Sequence, residues 1–268
     1  MNLLNPYYLA AERHYRTVLA ALKEAAAVRS SSKQEARLLP GSIPFITISR
    51  QAGADGSLLA QQLVETLNRH DPHGKPWSAW DQELIEKVAW EHNIPRECIA
   101  ALEDERRPWF LDFVNWLSSQ HGGAVDEFTV YARVAETVRA LALAGHAVIV
   151  GRGGVYLTAG MDGGIHVRLV APVEHRLKNV AHRLGVSLDE ASKRVAEIDH
   201  NRAVFYKRYW PKKQLTPDAF TVTLNTASLT DDEMIKCLLP LVHGASTKTC
   251  KEGCQCKTKA SEPATVAT

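Results

Sequence analysis

The chain has 268 residues, 45% of them hydrophobic and 23% charged, with 32 Lys and Arg against 30 acids and a net charge of +2. This composition excludes a mostly disordered or fibrous protein, and the length allows one large domain with a real core. No apolar stretch approaches the roughly 18–20 residues of a membrane span, so no membrane partner is expected.

The opening MNLLNPYYLAAERHYR has no basic segment followed by a clean apolar run, so no signal peptide is expected. Five cysteines, three of them (Cys250, Cys254 and Cys256) close together near the end, do not make a disulfide framework. A reducing, cytoplasmic compartment fits them best.

Residues 6–28 place Tyr8, Leu9, Tyr15, Val18, Leu19, Leu22 and Ala26 three to four apart among charges, which predicts a helix. The polar stretch RSSSKQEARLLPGS follows and reads as a linker, so residues 1–43 form an N-terminal extension. From Pro44 short β-like runs alternate with helical patterns. Phe45–Ile48 is an apolar strand candidate, Leu58–Leu67 a helix, and Trp77–Trp80 a second short strand. Helices are predicted over 82–92, 97–118 and 126–144. Ala147–Val150 and Ile165–Val170 are buried strand candidates, the second followed by a helix from Val173 to about Leu184. Residues 187–209 read as a helix or a helix pair. Phe220–Leu224 is a last strand and Asp231–Val242 a last helix, with Thr230 as its N-cap. This alternation implies a mainly parallel sheet covered by helices on both faces, the α/β class. The unit spans 44–243, and residues 244–268 form a disordered, Cys-containing tail.

The loop after the first strand, Ser49-Arg50-Gln51-Ala52-Gly53-Ala54-Asp55-Gly56-Ser57, leads a buried strand into a helix. Backbone N–H groups at such a helix start make a phosphate cradle. The full motif G-x-x-x-x-G-K-[ST] is absent. In an ungapped alignment Arg50 takes the first Gly position and Asp55 the second. Gly56 takes the Lys position and Ser57 the Mg²⁺-binding position. Arg50 could supply the cation that the missing Lys removes. An ordinary βα turn with Ser57 near the cap is the competing reading of this loop.

Ligands of an open α/β sheet bind at the carboxyl ends of its strands. Asp81 follows the second strand and opens a helix, where it serves equally as N-cap or as a ligand contact. Gly151-Arg152-Gly153-Gly154 follows the third. An Arg between glycines packs poorly but forks well onto phosphate. The segment Arg168–Lys213 carries eleven basic and five acidic side chains, an excess of +6 against −4 for the remainder. Within it Arg202 lies three residues after Asp199, close enough on a helix for the carboxylate to hold the guanidinium.

Taken together, ITISRQAGADGS, WDQELIEKVA, VIVGRGG, HVRLVAPVEHR, DHNRAVFYKRYW and TLNTASLT resemble the cytidylate kinase-like family, a branch of the P-loop nucleoside monophosphate kinases. The similarity covers roughly residues 44–242. It implies a three-layer α/β/α fold with a five-stranded parallel sheet. It also implies a monophosphate-binding insertion over 82–144 and a lid near 184–192 between helices carrying Arg176, Arg183 and Arg202. The implied chemistry is transfer of the ATP γ-phosphoryl to CMP or dCMP with Mg²⁺. Gly53, Ala54, Asp55, Gly56 and Ser57 would hold the donor phosphates, with Ser57 also touching Mg²⁺. Arg152, Asp199 and Arg202 match the family's nucleotide-contacting positions, and Asp81 would lie beside the substrate. Val150 and Gly153 stand where the family's D-G-R-D segment has acids.

Two alternatives accompany this reading. One is a nucleotide-binding regulatory protein without turnover, motivated by Asp55 and the missing Lys. The other is an interaction or nucleic-acid-binding module using the basic 168–213 segment, with Phe205, Tyr206, Tyr209 and Trp210 as stacking surfaces. Core packing of those aromatics is the favoured reading. The three tail thiols could bind a soft metal with His243, although their spacing is not a standard zinc pattern.

Overall fold

A computed structural model describes residues 43–91 and 127–251, together with Arg16. The helices expected over 6–28 and 97–118, the linker before residue 43 and Cys254 and Cys256 lie outside the described residues.

The strands are β1 (Phe45–Arg50), β2 (Ser78–Trp80), β3 (Ala147–Val150), β4 (Gly164–Val170) and β5 (Val222–Asn225). They form one sheet in the order β2-β3-β1-β4-β5. Every pairing is parallel, with Ile48 opposite Val150 and Val167, and Leu169 opposite Leu224. The helices are α1 (Gly56–His70), α2 (Gln82–Glu91), α3 (Glu127–Ala144), the short α4 (Gly154–Leu157), α5 (Val173–Leu184), α6 (Leu188–Tyr209) and α7 (Asp231–Lys251). The three-layer α/β/α expectation holds. Among the described residues no helix is long and apolar enough to cross a membrane.

β1 lies at the centre with both faces covered, which is why it reads as a continuous apolar run. Side chains alternate between faces along it. Phe45 joins Ile149, Trp80 and residues of α2, α3 and α4 in one core. Ile46 and Ile48 join Val148, Val167 and Leu169 in the other, under α1 and α7. A third, smaller cluster unites Ala52, from the loop after β1, with Val180 of α5 and Ala191 and Val195 of α6. The aromatics Tyr209 and Trp210 are buried in the first core, beside Tyr131 and Tyr156, so they are not open stacking platforms.

Two boundaries left open by the sequence take definite form, and one differs from the sequence reading. α6 is one helix, started by a capping box in which Ser187 and Glu190 exchange hydrogen bonds. The span 184–192, expected as a lid, is the end of α5, a turn at Gly185–Ser187 and the first turn of α6. Gly185 takes φ +66, the left-handed geometry that ends α5. α7 continues to Lys251, past both Pro240 and the expected tail start at Gly244. Its apolar face (Met234, Ile235, Leu238, Val242) is buried against the sheet, and this packing outweighs one missing N–H and one glycine. Its expected cap is present: Thr230 Oγ1 accepts from the Glu233 N–H at 3.3 Å.

Candidate active site

Because all five strands run parallel, their carboxyl ends meet at one edge. Arg50 ends β1, and Gly151 and Arg152 follow β3. Arg168 lies two residues before the end of β4. The middle of α6 crosses this edge. The result is a cleft of about 720 Å³ whose wall includes Arg50, Arg152, Arg168, Arg202, Arg208 and Asp199. Such a concentration of guanidinium groups suits a ligand with several negative charges.

Arg50 is the most confined of them. Its guanidinium lies against Gly151, at the crevice between β1 and β3 where the chain's crossovers change direction. A Cβ on Gly151 would overlap Arg50 Nη1 and come within 3.2 Å of Cζ. Gly151 also takes φ +84, so its backbone favours glycine and its lack of a Cβ leaves the room that the Arg50 guanidinium fills. Burial, followed by the charges of Arg202 and Arg152, pulls the Arg50 pKa down to about 10, against the opposing pull of Tyr206 and Asp81. Arg202 is lowered as well, by burial first, while Asp199 restores part of the loss. Its Nη1 donates to the Arg50 carbonyl at 2.9 Å. Tyr206, one turn after Arg202, is hydrogen-bonded to Ser49, and burial raises its pKa although Arg50, Arg202 and Arg168 act the other way. Its phenol therefore enters the cleft as a neutral hydroxyl.

Arg152 adopts φ +52 and is ion-paired with Glu86 of α2. Its guanidinium lies 5.9 Å from the Phe205 ring centroid, and Tyr131 Oη donates to its carbonyl at 2.9 Å. Gly153, at φ +71, lets Trp210 and Tyr131 close over the same turn. The Arg152 turn is thus fixed by packing from α3 and α6.

The residues expected at the site divide into groups. Arg50, Arg152, Asp199 and Arg202 share the cleft. Asp81 is the N-cap of α2, its Oδ1 accepting from the Leu84 N–H at 2.9 Å, and its charge reaches Arg50 only at longer range. Gly53, Ala54, Asp55, Gly56 and Ser57 are not in the wall of the cleft. Ala54 and Gly56 are buried, and Ser57 is exposed on the first turn of α1. Arg176 and Arg183 lie on α5, outside the wall of the cleft. Arg176 is buried on α5, and Arg183 pairs with Asp55 at 2.6 Å.

Sequence reasoning missed Asn179, which donates to the Gly53 carbonyl at 3.0 Å, and Gln51, whose Oε1 accepts from the Ala171 N–H at 3.0 Å. It also missed Glu86, Tyr206 and Arg168 as members of the site. Arg168 left a signal: it falls on the face of β4 opposite the buried Ile165, Val167 and Leu169, just before the strand's carboxyl end.

Among the described residues no group of three metal-ligating side chains exists. Ser57, the position that the sequence offers to Mg²⁺, presents its hydroxyl group on an exposed residue at the start of α1.

The chain matches the family model described as the cytidylate kinase-like family over residues 45–228. A crystal structure of an uncharacterized protein from Eubacterium ventriosum ATCC 27560 is similar, with a TM-score of 0.55 and 18% identity. The match covers 75% of this chain and 98% of that one, and at this identity it bears on the fold alone. No curated protein matches.

Proposed function

The chain belongs to the cytidylate kinase-like family, and from this premise we propose that it is a nucleoside monophosphate kinase, transferring the γ-phosphoryl of ATP to CMP or dCMP. The observation that carries the proposal is the convergence of Arg50, Arg152 and Arg202 on one cleft, with Arg50 desolvated enough to bring its pKa to about 10. Phosphoryl transfer needs alignment and charge neutralisation more than a covalent residue, and rigidly held guanidinium groups supply both.

In this reading Arg152 binds the acceptor phosphate, leaving or sharing Glu86. Arg202 and Arg50, side by side, neutralise the transferring group. Arg50 takes the part of the missing loop Lys, approaching from the end of β1 instead of from the start of α1. The Tyr206 hydroxyl donates to a phosphate oxygen, and the loop Gly53–Ser57 holds the donor phosphates, with Ser57 facing Mg²⁺. The metal would screen charge between the donor phosphates.

The test is a phosphoryl-transfer screen of ATP against CMP, dCMP, UMP, AMP and GMP, followed by Arg152→Ala and Arg202→Ala. Product with CMP or dCMP that falls at least tenfold in both variants supports the assignment. An unchanged rate in both defeats it.

A second reading, nucleotide binding without turnover, is favoured by one feature. Asp55 adds a carboxylate beside the cradle, where Gly56 stands in place of Lys. ATP binding by calorimetry with no product from any monophosphate would select it.

A further inference from the structure

Five side chains of α5 and α6 hold the loop after β1 almost residue by residue. Arg202 takes the Arg50 carbonyl and Asn179 the Gly53 carbonyl, while Arg183 takes the Asp55 carboxylate. Between them the Ala52 peptide groups are gripped on both sides. Asp199 Oδ1 accepts from the Ala52 N–H at 2.9 Å, and Arg176 Nη1 donates to the Ala52 carbonyl at 3.2 Å. The same Arg176 Nη1 donates to Asp199 Oδ2 at 2.6 Å, which closes a ring. The Ala52 methyl lies in the apolar cluster of the two helices. Gly53 touches α5 so closely that a Cβ would stand 2.5 Å from the Arg176 carbonyl oxygen.

A trans peptide points its C=O and the following N–H in opposite directions. Holding the Ala52 carbonyl on the α5 side therefore turns the Gly53 N–H away from α5. Holding the Gly53 carbonyl there turns the Ala54 N–H the other way, where it meets the Gln51 carbonyl at 3.2 Å and closes a turn. The clamp draws the Ala52 and Gly53 carbonyl oxygens, which repel phosphate, towards α5 and, with the Ala52 and Ala54 N–H groups already bonded, leaves the Gly53 N–H turned away from that helix.

We propose that Arg176 and Asp199 are positioning residues for the donor phosphates, acting through the Ala52–Gly53 backbone and not by touching a nucleotide. The proposal rests on the kinase reading for its ligand. It gives Asp199 a different part from the nucleotide contact that the family resemblance implies, although Asp199 reaches the cleft wall. One carboxylate thereby joins the donor loop to the acceptor cleft.

The experiment is a double-mutant cycle of Arg176→Gln and Asp199→Asn, read as separate KM values for ATP and CMP. Amide hydrogen exchange over residues 51–55 in ligand-free protein is measured in parallel. The expected result is an ATP KM raised roughly tenfold in either single variant, the scale of one lost hydrogen bond. The CMP KM stays within about twofold, and the double variant is no worse than the singles, as members of one ring should behave. Exchange over 51–55 accelerates alike in all three. If Asp199→Asn raises the CMP KM and adds independently to Arg176→Gln, Asp199 touches the acceptor and the proposal is overturned. Faster exchange with both KM values unchanged overturns it equally, because the clamp would then be structural only. Should wild-type protein transfer no phosphoryl group, the kinase reading fails. Exchange then still decides the clamp, which unaccelerated variants refute. If Arg176→Gln does not fold, Asn179→Ala releases the neighbouring Gly53 carbonyl without leaving a buried charge, and the same KM and exchange outcomes apply, without the non-additivity expected inside the ring.

Discussion

Gly151→Ala separates the cost of backbone geometry from the worth of the Arg50 cation. At φ +84 an alanine is strained by about 1–2 kcal/mol. For a domain of this size that lowers Tm by roughly 2–8 °C. The added methyl also overlaps Arg50 Nη1 and crowds Cζ at 3.2 Å. Only the far end of a flexible side chain is in the way, so the guanidinium swings aside at little further cost in stability. Binding then suffers more than stability does. Losing one or two charge-assisted hydrogen bonds costs about 1.5–3 kcal/mol, so affinity for a nucleotide phosphate should fall roughly 10- to 150-fold. Calorimetric titration with CMP and ATP measures this, with thermal melts alongside. Arg50→Ala should reproduce the binding loss without the φ strain, and the double variant should bind no worse than Arg50→Ala. Wild-type affinity in a Gly151→Ala protein of reduced Tm would refute the reasoning, because Arg50 could then be displaced without consequence.

Other expectations concern pH, capping and the phenol. Burial lowers the His166 pKa to about 4 from 6.5, with Thr47 Oγ1 2.8 Å from its Nδ1. Stability is complete above pH 6.5 and is lost as pH falls towards 4, because the unfolded chain takes up the proton first; the slope is up to about 1.4 kcal/mol per pH unit. Urea midpoints at pH 7 and 5 should converge in His166→Gln, and equal pH dependence in both proteins contradicts the assignment. Ser187→Ala removes the α6 cap and should cost about 1 kcal/mol in chemical denaturation, with nucleotide affinity intact. Tyr206→Phe should lower CMP affinity roughly five- to tenfold while shifting stability by no more than about 1 kcal/mol; unchanged affinity by calorimetry would remove the phenol from the site.

The strands were legible because burial on both faces leaves unmistakable apolar runs at Phe45–Ile48 and Ala147–Val150. Arg152 was legible because nothing in a core explains an arginine between glycines. The clamp was not. Arg176 lies in a stretch rich in Lys and Arg, and composition alone gives such a charge to solvent. Its burial follows from facing a backbone carbonyl 124 residues earlier in the chain. Asn179 is equally silent, since one amide on an amphipathic helix carries no periodic signal. Arg50 was singled out in the loop after β1 as a cation for phosphate, and it lies in the cleft wall. Its resting place against Gly151, however, depends on β1 lying beside β3, which spacing along the chain does not reveal. The end of α7 was misjudged because the stretch from Gly244 is rich in Lys, Thr, Ala and Gly and its composition reads as a tail, whereas the helix runs on to Lys251.

The central position of β1 has a consequence for synthesis. Both its neighbours lie far downstream: Ile46 pairs with Val148 and with Ile165, and Ser49 with Arg168. At about 5–20 residues per second, the run Phe45-Ile46-Thr47-Ile48 leaves the ribosome some 6–24 s before β4 has been made. For most of that interval, until β3 is made, the central strand of the sheet has no native edge to pair with. The loop after it waits as well, because the side chains that set its carbonyls arrive later still, on α5 and α6. In this fold the loop after β1 is made early in the domain and shaped late.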